Sequence, residues 1–172
     1  MVIAPKTLLR LSAACSELTA MAEGTSYSTV LPDQRSVRSS SLQSDSSPCR
    51  CQDPDRVEKI IFVSGKHFYS LAKHMEENNI EQTALVRLET LCPFPAAKLQ
   101  EEVSKYKKVK TFVWSQEEHR NMGGWSFVAP RFRNILGVDL RYAGRQELCQ
   151  PAVGVGQVHQ QENSQILRDT FS

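Results

Sequence analysis

Four places in the chain carry residue types and spacings that could do chemistry. Ser64-Gly65-Lys66 follows an apolar run and precedes a helical pattern, so free backbone N–H groups, a hydroxyl and an ammonium could together hold a phosphate or carboxylate. The spacing lacks the upstream glycine of a P-loop, and a tight turn with an exposed lysine is the plainer reading. Glu117 and Glu118 directly precede His119, a carboxylate and imidazole set suited to acid–base catalysis. Neighbours in an extended chain point opposite ways. Gln116 and Glu118 are therefore expected on one side and Glu117 and His119 on the other, which favours a buried or interfacial polar loop over a catalytic pair.

Cys49 and Cys51 form a C-x-C without a second Cys or His pair at finger spacing, so no zinc site is expected. Gly154-Val155-Gly156 opens like a dinucleotide motif, but His159 stands where the third glycine belongs and no strand leads into it. His67, His74 and His159 stand alone on helical segments, where a satisfied or solvated imidazole is the ordinary outcome. Residue order alone supports no Ser/His/Asp set. No catalytic, cofactor-binding or metal-ligating residue is assigned from these patterns.

The elements that must carry these residues can be read from apolar periodicity. Pro5 can start a helix, with Leu8, Leu9, Leu11, Leu18 and Met21 at roughly helical spacing and Gly24 as its stop. Between Gln34 and Arg56 lie seven serines, two prolines and only two aliphatic residues, a composition that cannot bury enough surface to fold and reads as a linker. Strands are predicted over 59–64, 83–91, 110–115 and 139–143. Helices are predicted over 67–79, 96–106, 125–136 with a kink near Pro130, and 158–171. Strands alternating with helices imply an α/β fold, a mainly parallel sheet with helices on both faces, because parallel strands need crossover connections.

Composition sets outer bounds. The 172 residues allow one ordinary domain plus a tail, and the 21 basic and 19 acidic residues are mixed along the chain, leaving no basic stripe for nucleic acid. Apolar runs such as Ile60-Ile61-Phe62-Val63 are far shorter than the roughly 20 residues that cross a bilayer, so no membrane partner is expected and the protein should be soluble. The odd set of five cysteines and the lack of a secretory layout suggest reduced thiols. Glu17 and Glu23 argue against reading the first residues as a mitochondrial transit peptide.

The strings FVSGKHFYSLAKH, LVRLETLCPFPAAKLQEEVSKY, WSQEEHRNMGGWSFVAPRF and YAGR resemble the C-terminal domain of the 2-oxoglutarate dehydrogenase E1 family. NMGGWSFVAPRFRNIL and PAVGVGQVH are similar to its 2-oxoadipate branch, and PKTLLRLSAACSELTAMAEGTSY resembles the end of the preceding pyrimidine-binding domain. The resemblance implies three parts: a remnant of the pyrimidine-binding transketolase domain at 1–33, the serine-rich linker at 34–56, and a transketolase C-terminal-like domain at 57–172. It leaves the linker unmatched, since family members have a shorter connection there, and His119 stands where relatives often carry proline.

In the family, the resemblance implies, thiamine diphosphate is held through Mg²⁺ by a G-D-G motif, and a glutamate of the pyrimidine-binding domain activates it. Neither is recognised in this chain, so no cofactor is expected on it and it should be inert alone. The whole enzyme would decarboxylate a dicarboxylic 2-oxoacid oxidatively and pass the acyl group to a lipoyl-bearing E2 in the mitochondrial matrix. This region would pack in the E1 homodimer. A bacterial acetyl-CoA effector site near this domain resembles a position here formed by Arg10, Ser64 and Lys66, whose charges suit a CoA phosphate. A free-standing module that docks on full-length E1 is the alternative. An independent enzyme would need Ser64, Lys66, Glu118 and His119 to converge in one pocket.

Overall fold

The computed structural model describes residues 5–33, 53–150 and 152–172. Most of the serine-rich stretch, with Cys49 and Cys51, lies outside the described residues. Five strands form one sheet: β1 (Val30–Leu31), β2 (Lys59–Val63), β3 (Thr83–Leu88), β4 (Thr111–His119) and β5 (Leu140–Arg145). Their spatial order is β1-β3-β2-β4-β5, with every pair parallel except β1 against β3. The helices are α1 (His67–Glu77), α2 (Ala96–Ser104), α3 (Trp125–Arg131) and α4 (Gly156–Phe171).

The central strands are apolar on both sides because both sides are covered. Ile60 and Phe62 of β2, Ala84 and Val86 of β3 and Trp114 of β4 pack with Leu99, Val128 and Phe132, placing α2 and α3 on one face. One residue out of phase, Ile61, Val63, Leu85, Val113 and Ala143 pack with Phe68, Leu71 and Met75, and Leu167 and Phe171 add the cover of α1 and α4. The expected fold class, a mainly parallel sheet with helices on both faces, is the one observed.

Three differences from expectation have physical causes. The helix expected from Pro5 is instead three short 3-10 turns, Lys6–Arg10, Ser12–Ala14 and Leu18–Met21, and none buries a residue. A lone helix of that length is marginal in water without a surface to pack on. The helix expected over 125–136 changes at Arg131 to a π turn, Phe132–Leu136, which ends at Gly137 in the left-handed region. Pro130 lacks the N–H that a regular helix would donate there. The third strand runs on to His119 rather than stopping at Ser115, because the polar residues beyond Ser115 find partners described below.

Beyond Ser115, β4 bulges. Ser115 pairs with Ala143 and His119 with Arg145, so four residues of β4 advance against two of β5. A bulge frees carbonyls and twists the strand. Here Gln116 turns inward, accepts from Trp114 Nε1 at 2.8 Å and from the Trp125 N–H at 3.0 Å, and donates to the carbonyls of His119 and Met122 at 2.9 Å. Tyr142 Oη folds back to donate to Arg145 O at 2.7 Å, which leaves no room at Gly144: a Cβ there would fall on the Tyr142 hydroxyl and lie 3.0 Å from Gln116 O. Gly144→Ala is therefore expected to cost about 1–3 kcal/mol through overpacking, measured as a lowered urea midpoint. An unchanged midpoint would show that the bulge can move aside.

Candidate functional site

In a doubly wound sheet a ligand ordinarily sits outside the carboxyl ends of the strands where the winding reverses. Here the chain leaves β2 towards β3 and leaves β4 towards β5, so the reversal falls between β2 and β4. Ser64-Gly65-Lys66 follows β2 at that point, with Gly65 at φ +67° making the turn, Ser64 half-buried and Lys66 exposed. His67 opens α1 beside it.

The groups at this position are bonded to one another. His67 Nε2 lies 3.0 Å from Ser115 Oγ, Ser115 Oγ lies 2.8 Å from Thr170 Oγ1, and Thr170 donates to Ile166 O at 2.7 Å. With the Thr170 proton spent on a backbone carbonyl, Ser115 must donate to Thr170 and accept from His67 Nε2–H. That direction is the reverse of the one a serine nucleophile needs, where the imidazole accepts the hydroxyl proton. Ser115 and Thr170 are also wholly buried. Burial is the main cause that pushes His67 down to about 4, opposed by Glu117 and reinforced by Lys66 and Arg145. The ring is neutral near pH 7.

A second polar knot binds the end of β5 to α4. Arg145 is a buried cation whose Nε donates to Glu117 O at 2.8 Å, whose Nη1 pairs with Glu162, and whose Nη2 reaches Asn163 Oδ1 at 2.6 Å and His159 Nδ1 at 3.0 Å. Asn163 Nδ2 in turn lies 3.0 Å from His159 Nε2. A buried charge this fully partnered is held in place and not offered to a ligand.

The sequence-derived candidates scatter across this arrangement. Glu117 is half-buried and acts on His67, Glu118 is exposed, and His119 is buried with Nδ1 2.8 Å from Gln146 O. The strict alternation expected for residues 116–119 fails because the bulge intervenes. Ser64 and Lys66 share one turn, while Arg10 is exposed in the first 3-10 turn and makes no hydrogen bond or ion pair to either among the described residues. His67 and His159 do not stand alone: each joins a polar knot. His74 stacks on Phe171 with ring centroids 5.0 Å apart. Sequence reasoning missed Ser115, Arg145, Asn163 and Thr170. A period-2 signal was present, since Val113/Ser115 and Ala143/Arg145 share phase with the Ile61/Val63 face. A helical one was too, since His159, Asn163, Ile166 and Thr170 form a single stripe of α4.

This is an α/β domain in which polar side chains at the usual ligand position, His67, Ser115 and Thr170, are bonded to one another. The family model described as 2-oxoglutarate dehydrogenase C-terminal matches residues 15–171, and the chain belongs to that family. It is 47% identical to the human 2-oxoadipate dehydrogenase complex component E1, over 99% of this chain and 17% of that protein. It is 40% identical to a probable homolog of that component from Caenorhabditis elegans, with the same coverage, and 35% identical to 2-oxoglutarate dehydrogenase, mitochondrial, from Caenorhabditis briggsae, over 99% of this chain and 16% of that one. The chain thus spans about one-sixth of the length of the curated relatives it matches. Among solved structures it is similar to a split gene transketolase described as an inactive beta4 tetramer, with TM-score 0.49, 17% identity and coverage of 75% of this chain and 44% of that one. Among the described residues no helix is long and apolar enough to cross a membrane.

The His67 environment fixes a pH response. Its pKa is depressed in the folded state to about 4 from 6.5, so the unfolded chain binds the proton more readily across that window. Stability is complete above about pH 6.5 and falls by about 3 kcal/mol as pH drops to about 4. Urea unfolding at pH 7 and pH 4.5 is expected to show this loss in the natural chain and a smaller one in His67→Gln; equal losses in both would remove His67 as its source.

Proposed function

We propose that the chain is the C-terminal part of a thiamine diphosphate-dependent 2-oxoacid dehydrogenase E1 component, with 2-oxoadipate favoured over 2-oxoglutarate as the whole enzyme's substrate. Its own contribution is packing within the E1 dimer. The observation that carries this reading is that His67, Ser115 and Thr170 bond to one another at the switch point while Arg145 bonds inward at the end of β5. Identity of 47% along the whole chain to a 2-oxoadipate E1 component supports the substrate assignment.

Among the described residues no three His, Cys, Asp or Glu side chains gather where a metal ion could be held. In the proposed whole enzyme the thiamine supplies carbanion stabilisation from outside this region, and the acyl group passes to a lipoyl-bearing E2 in the mitochondrial matrix. The division at 1–33, 34–56 and 57–172 belongs to the same proposal. Support comes from the first part, where the turns before Met21 bury nothing, although Val30 and Leu31 pair with β3.

An acetyl-CoA-like effector held by Arg10, Ser64 and Lys66 is a further part of it. The exposed Lys66 ammonium and the Gly65 turn at the start of α1 suit a CoA phosphate.

The chain supplied with thiamine diphosphate, Mg²⁺ and 2-oxoadipate is expected to release no CO₂ above the blank, and turnover would contradict a packing role. Calorimetry with acetyl-CoA is expected to show saturable binding that Lys66→Ala weakens about tenfold, as loss of one charged phosphate contact does. No heat from the natural chain would remove the effector site.

A further inference from the structure

Between His119 and Val138 the chain carries three arginines, Arg120, Arg131 and Arg133, and no aspartate or glutamate. Two of them have an evident use within the domain. Arg133 Nε pairs with Asp139 at 2.6 Å, and Arg131, whose cation lies 3.4 Å from the Phe127 ring centroid, donates from Nη1 to Phe127 O at 2.8 Å. Arg120 is placed differently. Its backbone N–H donates to Arg145 O at 3.1 Å, while its exposed guanidinium lies over two rings, 5.8 Å from the Trp125 centroid and 5.3 Å from that of Tyr142. That guanidinium makes no hydrogen bond or ion pair among the described residues. Glu118, the nearest acid in sequence, is turned to Gly123 instead, where an added Cβ would lie 3.1 Å from its Oε2.

The rings beneath it are themselves fixed. Trp125 N–H donates to Gln116 Oε1 at 3.0 Å, Tyr142 Oη donates to Arg145 O at 2.7 Å, and the two ring centroids are 5.0 Å apart, so the bulge that turns Gln116 inward also sets this platform. A ring face attracts a cation without consuming a hydrogen bond, which leaves the five N–H groups of the guanidinium positioned but unspent. Their fork matches a carboxylate in bidentate contact, and an arginine beside Trp and Tyr is the grouping that anchors protein interfaces. We propose that Arg120, seated on Trp125 and Tyr142, anchors an acidic segment of a partner protein. Charge and exposure select this occupant. The stretch from His119 to Val138 has no acid to repel such a segment. A small carboxylate needs a concave site that buries most of its surface, which an exposed guanidinium does not supply. A nucleic acid needs a basic stripe, and the 21 basic and 19 acidic residues are mixed along the chain.

The test is fluorescence anisotropy of labelled deca-glutamate titrated with the full 172-residue chain at about 0.15 M salt, where diffuse attraction is screened. Saturable binding is expected, weakened about tenfold in Arg120→Gln, as loss of one bidentate contact does. Arg120→Lys keeps the charge and loses the fork, so it is expected to bind about threefold more weakly than the natural chain; equal binding would show that charge alone acts and would overturn the seated fork. Arg133→Gln, whose partner is Asp139 within the domain, is expected to bind as the natural chain does, and a loss equal to that of Arg120→Gln would overturn the site. Oligothymidylate of the same charge is expected to bind about tenfold more weakly than deca-glutamate, and tighter binding would make the partner a nucleic acid instead. Both Arg120 variants are expected to keep the natural melting temperature by circular dichroism; a lowered one would show that the cation serves the fold and not a partner. No saturation with the natural chain would overturn the proposal outright.

Discussion

The structure depends on how the carboxyl end of a parallel sheet disposes of its polar groups. Where β4 bulges past Ser115, backbone carbonyls leave the ladder and must find donors or water. Gln116 meets those of His119 and Met122, Tyr142 meets Arg145 O, and Arg145 meets Glu117 O. Having turned inward for that purpose, the Arg145 guanidinium is a buried cation and requires Glu162, Asn163 and His159 around it. All three lie on α4. The same helix supplies Thr170 to Ser115, so the bulge, the buried cation and the final helix form one connected arrangement.

That connection bears on the place where a fold of this kind usually carries a ligand. A crevice needs groups with unspent bonding capacity and a route for solvent. At the junction of β2 and β4 the imidazole Nε2 and the two hydroxyls bond to one another, and at the end of β5 the guanidinium bonds to Glu117 O, Glu162, Asn163 and His159. What remains exposed includes the Lys66 ammonium beyond the Gly65 turn and, before β1, the apolar side chains of Leu9, Leu18 and Met21.

Much of the fold was legible in the sequence because its signals are local. Continuous runs such as KIIFV and the 3.6-residue stripe of Phe68, Leu71 and Met75 identify strand and helix without tertiary information. The site was less legible because its meaning is tertiary. Ser115 and Thr170 are 55 positions apart, and nothing in either neighbourhood announces the other. Glu117-Glu118-His119 drew attention as adjacent ionisable residues, yet the bulge sends them to three different surroundings. The first segment misled in the opposite way: its leucine spacing suits a helix, but spacing only expresses itself against a partner surface, and the described residues provide none.

The most direct test of the account is hydrogen exchange by mass spectrometry on the natural chain near pH 7, comparing the amides of Ile166–Phe171 with those of β4. Closure of the crevice by α4 requires that these amides open only with the sheet, so the two sets are expected to exchange at similar slow rates. Exchange of Ile166–Phe171 within seconds, with β4 still protected, would mean that the helix is loosely laid over a usable crevice, and would contradict the reading of this region as a packing domain.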